Sequence, residues 1–237
     1  EIVTPPKRGT VPILAGGEFI YTPDTTKSKD SFTYTAKDES GNMSAEATVT
    51  VHIIKQKNEI SYADTEEAGV EYEALALNEA GVYTGEKIGD FYFFHPDKNV
   101  TYSEFLAMCL SASGADVLDN ITRTGLDNDS DIPTWAKGYI STAILTDTYT
   151  GGKSFSYSDN ITFKDAAVMI DSIFEITDVV GVSAFSQELD STASQAMANL
   201  YACRIIDETA VGHADDEITM ADAARLLIGA MEIADNR

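Results

Sequence analysis

Asn99-Val100-Thr101-Tyr102-Ser103-Glu104, Asn160-Ile161-Thr162-Phe163-Lys164-Asp165 and Glu217-Ile218-Thr219-Met220-Ala221-Asp222 are three versions of one short motif, set at nearly constant intervals along the chain. In each, a threonine is followed three positions later by a carboxylate and then by an apolar run. The pattern is that of a helix start. The threonine hydroxyl accepts a hydrogen bond from the N3 backbone N–H, and the acid reaches back to the cap. Its negative charge also suits the positive end of the helix dipole. A single such box arises often by chance, whereas three in register imply an internal repeat, which governs every later step of a fold argument.

Upstream of the boxes the chain repeats again. Tyr72 to Val82, Trp135 to Leu145 and Ala196 to Ile206 are apolar-rich segments of helical length, so each repeat reads as helix, loop, helix. The first two loops end in an aromatic followed by turn formers, Phe94-His95-Pro96-Asp97 and Phe155-Ser156-Tyr157-Ser158-Asp159. The third loop, Asp207 to Glu217, is shorter and has no such aromatic.

These pieces resemble three tandem S-layer homology motifs, at about 60–114, 126–176 and 185–233. The matching elements are Tyr62-Ala63-Asp64, Ala80-Gly81-Val82, Phe94-His95-Pro96, Trp135-Ala136 and the three threonine boxes. The resemblance implies an all-α, pseudo-threefold domain that holds exported proteins on the bacterial cell wall by binding an anionic, often pyruvylated, polysaccharide. It places ligand-facing positions at Asp64, at Asp127 as a looser match to the same aspartate, at Trp135, and at Tyr102 and Phe163. The last two occupy the place where the family carries an arginine after the box threonine, and Met220 stands there in the third copy. An aromatic or thioether side chain cannot replace a planar, permanently charged fork that grips a carboxylate. Repeat fold and ligand chemistry are therefore separate expectations. If an anionic glycan is bound, another cation such as Lys137 or Lys164 must serve.

Charge is distributed unevenly. The chain carries 16 basic and 39 acidic residues, for a net −23. Six basic and seven acidic residues lie between Glu1 and Lys55, so the repeats hold nearly the whole excess. Such a field repels phosphate backbones and argues against nucleic acid as a partner.

The nearly neutral first segment reads as a different domain. Glu18 to Thr22, Ser31 to Thr35 and Ala45 to Ile53 alternate polar with aromatic or β-branched residues, the period of half-buried strands. Pro23-Asp24 and Ser40-Gly41-Asn42 supply the turns. Tyr21-Thr22-Pro23, Asp30-Ser31-Phe32-Thr33-Tyr34 and Gly41-Asn42-Met43-Ser44 resemble the second half of a bacterial immunoglobulin-like repeat of surface adhesins. About four strands are expected, short of a full sandwich, leaving an exposed sheet edge. Lys55-Gln56-Lys57-Asn58 reads as the linker. The start at Glu1 without a leader reads as a mature portion or fragment.

Chemistry-bearing constellations are sparse. His52, His95 and His213 lie far apart in sequence, no Cys or His stands at metal-ligand spacing, and no serine occupies a nucleophile elbow. Gly151-Gly152-Lys153-Ser154 lacks the upstream glycine of a phosphate loop. Asp127-Asn128-Asp129-Ser130-Asp131 begins like a calcium loop, but Ile132 replaces the turn glycine and Gly138 stands where a bidentate acid is needed. Cys109 and Cys203 sit among apolar neighbours, as buried thiols or as a disulfide between the first and third repeats. Trp135, Tyr139 and Ala143 share one helical face, making Trp135 either a core anchor or a sugar platform.

The expected molecule is thus a small antiparallel, immunoglobulin-like β-domain over 1–55 followed by an all-α three-repeat domain over 56–237. No catalytic site, cofactor, metal or membrane insertion is expected. Its expected role is attachment of an exported protein to wall polysaccharide at the extracellular surface. The alternative is a degenerate repeat module that binds other surface proteins.

Overall fold

A computed structural model describes residues 1–14, 17–25, 28–38, 40–149, 152–180 and 189–235. The chain forms two compact units, Glu1–Glu59 and Ile60–Arg237. The expected start of the third repeat at Phe185, and Gly151, lie outside the described residues.

The first unit is antiparallel β. Strands β1 (Ile2–Thr4), β4 (Ser28–Tyr34) and β5 (Ala47–Ile53) form one sheet in the order β1-β4-β5, while β2 (Gly9–Thr10) pairs with β3 (Thr22–Pro23). The β4–β5 ladder runs from Ser28 opposite Ile53 to Tyr34 opposite Ala47. This register puts Phe32 across from Val49, and Phe19 stands edge-on to the Phe32 ring at 5.2 Å. Sequence periodicity over-read one strand. Glu18 to Thr22 was expected to pair along its length, yet it contributes only a bridge at Phe19 and the first residue of β3. The Asp30 carboxylate explains why the chain leaves the ladder there. It accepts from Lys7 N–H at 3.0 Å, Arg8 N–H at 2.8 Å and Tyr21 Oη at 2.9 Å, so polar bonds replace pairing. β1 and β2, which periodicity did not pick out, lie on the N-terminal stretch that this carboxylate gathers in.

The second unit contains, among the described residues, the helices α1 (Glu71–Glu79), α2 (Tyr102–Ala112), α3 (Thr134–Leu145), α4 (Phe163–Ile173), α5 (Ser191–Ala202) and α6 (Met220–Asp235). A hairpin of β6 (Glu86–Ile88) and β7 (Phe91–Phe93) fills the first loop, which was expected to be irregular. The last loop forms a 3-10 helix, Glu208–His213. The segment expected to be helical from Ala196 to Ile206 stops at Ala202. Arg204 takes φ 60, a left-handed conformation that ends the helix. None of these helices is long and apolar enough to cross a membrane.

The three threonine boxes start α2, α4 and α6. Thr101 accepts from Glu104 N–H at 3.3 Å and the Glu104 carboxylate accepts from Thr101 N–H at 3.0 Å, closing a full box. Thr219 and Asp222 do the same at 3.2 and 3.0 Å. In the second box Asp165 N–H donates to Thr162 at 3.4 Å, but the Asp165 carboxylate accepts from the Thr162 hydroxyl and from Tyr102 Oη.

The residues just before these threonines join in a closed cycle. Val100 N–H donates to Ile218 O at 3.1 Å, Ile218 N–H to Ile161 O at 3.0 Å, and Ile161 N–H to Val100 O at 2.9 Å. All three side chains are buried. Around the cycle α2, α4 and α6 pack on one another, while α3 packs on α2, α5 on α4 and α1 on α6. Each first helix therefore lies against the box helix of the neighbouring segment. One apolar core containing Leu77, Phe105, Ile170, Met197 and Leu227 runs through α1, α2, α4, α5 and α6. Ile140, Ala143 and Phe155 pack with Leu106 and Leu110 in a second. On the box helices Phe105 and Leu226 are buried and Met169 is partly so, touching both clusters.

Candidate functional site

The three positions that follow the box threonines meet three different fates. Tyr102 turns toward the second box, donates its hydroxyl to the Asp165 carboxylate and stands edge-on to Phe155 at 6.4 Å. Burial, and then the Asp165 hydrogen bond and charge, push its phenol well above the ordinary tyrosine range. Ser103 adds a bond to Tyr157 O at 2.6 Å, so this junction is stitched shut. Met220 is buried at its own junction, where its N–H donates to Lys98 O at 2.8 Å and the Ala221 N–H to Pro96 O at 2.9 Å. Phe163 borders a cleft of about 470 Å³.

That cleft has an apolar wall of Phe163, Ile206 and Leu226 and a polar rim that includes His213, Asp216 and Arg225. Backbone bonds brace one side, with Phe163 N–H donating to Asp216 O and Lys164 N–H to Ala214 O, both at 2.9 Å. Lys164 Nζ is tied to Asp215. Arg225, on α6, donates to Ala68 O at 2.7 Å and lies 3.8 Å from Asp222. Sequence reasoning passed over Arg225 because the corresponding positions in the other boxes are Ala107 and Val168, so no repeat signal marks it.

The other expected site residues are dispersed. Asp64 is half-buried and accepts from Phe94 N–H and His95 N–H, both at 2.8 Å, which pins the loop carrying the buried Phe94. A second, more open cleft adjoins it, bordered by Glu66, Glu67, His95 and Lys98. Asp127 does not do the equivalent job. Asn128 does, its amide donating to Phe155 O at 2.9 Å and accepting from Phe155 N–H at 3.2 Å, while Asp127 is exposed. The signal was available one residue along, since an amide can both donate and accept where a carboxylate only accepts.

Trp135 is 52% exposed, which rules out the core-anchor alternative. It stands edge-on to Tyr139 at 6.5 Å on the outer side of α3. Lys137 is not available as a substitute cation. It is 8% exposed and donates to the Asp129 carboxylate at 2.8 Å, Asp129 O at 3.0 Å and Thr122 O at 3.2 Å. This lysine first, and then Thr124, hold the Asp129 carboxyl at about 2. Asp129 thus anchors the connection before α3, and Gly138 is needed because a Cβ there would sit 2.4 Å from Leu118 O. Among the described residues no group of three or more His, Cys, Asp and Glu side chains could hold a metal. Cys109 and Cys203 are both free thiols, and burial raises the Cys109 thiol well above its usual range.

Residues 1–52 match the family model described as a bacterial Ig domain. This agrees with the antiparallel pairing of β4 and β5 and covers most of the first unit. No curated protein matches the chain.

Proposed function

We propose that residues 60–237 are a three-repeat module of S-layer homology type. It attaches an exported bacterial surface protein to the cell envelope by holding a wall polysaccharide, without catalysing a reaction. The observation that carries this reading is the backbone cycle through Val100, Ile161 and Ile218. It relates the three boxes by the same bond in the same direction, as a repeated unit would. The exchange of first helices around the ring supports it, since no helix pair buries its apolar face alone. The bacterial Ig match of the first unit suits a surface protein. The ligand position is the cleft beside Phe163, whose size accommodates one or two sugar rings and whose apolar wall can stack against them.

The alternative is a module that keeps the fold and has lost glycan binding. The Tyr102–Asp165 bond and the buried Met220 favour it, because two of the three junctions are closed. Co-sedimentation of the full chain with purified wall sacculi separates the two. Attachment predicts pelleting that is lost when secondary polysaccharide is stripped from the sacculi, and that weakens in Phe163→Ala but not in Trp135→Ala. An intact chain that stays in the supernatant with untreated sacculi of several bacterial types would leave the structural module as the remaining reading.

A further inference from the structure

The cleft beside Phe163 is acidic in a way that selects among glycans. Its lining includes Asp207, Asp216, Glu217 and Asp222, against Arg225 as the permanent cation. Most of the bonds holding these carboxylates come from neutral donors. Asp207 accepts from Thr209 N–H at 2.8 Å and Thr209 Oγ1 at 2.5 Å. Glu217 accepts from the amides of Asn99 at 2.6 Å and Asn160 at 2.8 Å. Asp222 accepts from Thr219 N–H at 3.0 Å and Thr219 Oγ1 at 2.8 Å. Such bonds orient a carboxylate without cancelling its charge. Asp216 meets His213 Nδ1 at 2.7 Å. Arg225 is already engaged by Ala68 O. Four carboxylates and one guanidinium leave three negative charges around a cleft of about 470 Å³.

An acidic sugar enters this field against repulsion, and a fully N-acetylated sugar gains nothing from it. A hexosamine with a free amine brings an ammonium that the rim attracts, three N–H donors for carboxylate oxygens, and an apolar ring face for Phe163 and Leu226. We infer that the ligand of the Phe163 cleft is a glycan carrying de-N-acetylated, free-amine hexosamines. This rests on the glycan-attachment reading and reverses the charge of the ligand that reading would otherwise imply.

Calorimetry on the full chain tests it with a glucosamine tetramer, the fully N-acetylated tetramer and tetralysine. Tetralysine controls for attraction to the −23 charge of the chain as a whole. The free-amine tetramer is expected to bind roughly tenfold tighter than its N-acetylated counterpart. It should also bind tighter than tetralysine and weaken as salt rises. Asp216→Asn should cost several-fold in free-amine binding and flatten the salt dependence. Asp207→Asn should act in the same direction, which protects the result against a local folding defect in either variant. Equal affinity for the two sugar tetramers, or for the free-amine tetramer and tetralysine, overturns the inference, as does unchanged binding in both variants. If the chain still pellets with sacculi, attachment stands and only the amine preference falls. If it neither pellets nor binds a tetramer, both fall.

Discussion

The two units hold themselves together by different means. In Glu1–Glu59, Phe32 is the one fully buried apolar side chain among the described residues, and the buried carboxylate of Asp30, 7% exposed, collects the N-terminal strands by hydrogen bonds. In Ile60–Arg237 a continuous apolar core surrounds a backbone cycle. The difference teaches that two units of one chain can rest on different kinds of cohesion. Polar gathering is sensitive to pH, whereas apolar packing is sensitive to volume.

Volume should produce the largest effect. Phe105 is buried in the shared core beneath α2, and Phe105→Ala is expected to cost about 3–5 kcal/mol. Because α1, α4, α5 and α6 share that core, the loss should appear as one cooperative shift of the whole second unit. Denaturant unfolding followed by fluorescence of Trp135, the only tryptophan, reports it from α3, outside the mutated cluster. A shift seen at α2 amides but absent at Trp135 would mean that the ring is not one cooperative unit.

Acid should come next and act most clearly on the first unit. Partial burial of Asp30 works upward on its pKa, but bonds from Lys7, Arg8, Tyr21 and Ser31 outweigh it and bring the carboxyl to about 2. The unfolded value is near 4. A group depressed in this way contributes stability above the unfolded value and loses it as pH falls toward the folded one. Amide-exchange protection in β4 and β5, taken relative to the intrinsic rate at each pH, should therefore fall between about pH 4 and 2, and Asp30→Asn should remove that dependence along with part of the neutral-pH protection. In the second unit the same acidification pulls both ways. Asp129, also held at about 2, loses its contribution. Asp171 is raised by burial, against the Asn199 hydrogen bond and with the help of Asp178. Its contribution is present at low pH and fades as pH rises.

The smallest effects belong to the caps. Thr101→Ala and Thr219→Ala each remove a complete box and should cost about 1 kcal/mol. Thr162→Ala should cost less on its own, because Tyr102 still holds Asp165. Combining it with Tyr102→Phe should exceed the sum of the single changes, a coupling that a double-mutant cycle in urea measures. Strict additivity would show that the Tyr102–Asp165 bond does not share the work of the second cap.

Much of the fold was legible because its signals are local. Helix starts at Thr101, Thr162 and Thr219 depend on residues within one turn, and the division between a β-unit and a helical unit follows from period and charge. What was misread depended on partners distant in sequence. Glu18 to Thr22 alternates like a strand, but Asp30 diverts the neighbouring chain. Trp135 shares a helical face with the buried Ala143, yet lies beyond the edge of the packed layer. Lys137 looked like a spare surface cation until the 116–131 connection folded over it.

By itself the sequence determined that helices follow the three boxes and lie upstream of them, where the boxes cap, and that nearly all the acidic excess lies in the second unit. Each of these is set within a few residues or by composition. Only the tertiary structure decided that each first helix packs on a neighbour's box helix, that Asn128 rather than Asp127 pins Phe155, and that Tyr102 seals one junction while Phe163 borders a cleft. The physical reason is that these outcomes depend on which groups the backbone cycle brings within hydrogen-bond reach across more than fifty positions, as from Tyr102 to Asp165. Local spacing carries no information about such encounters.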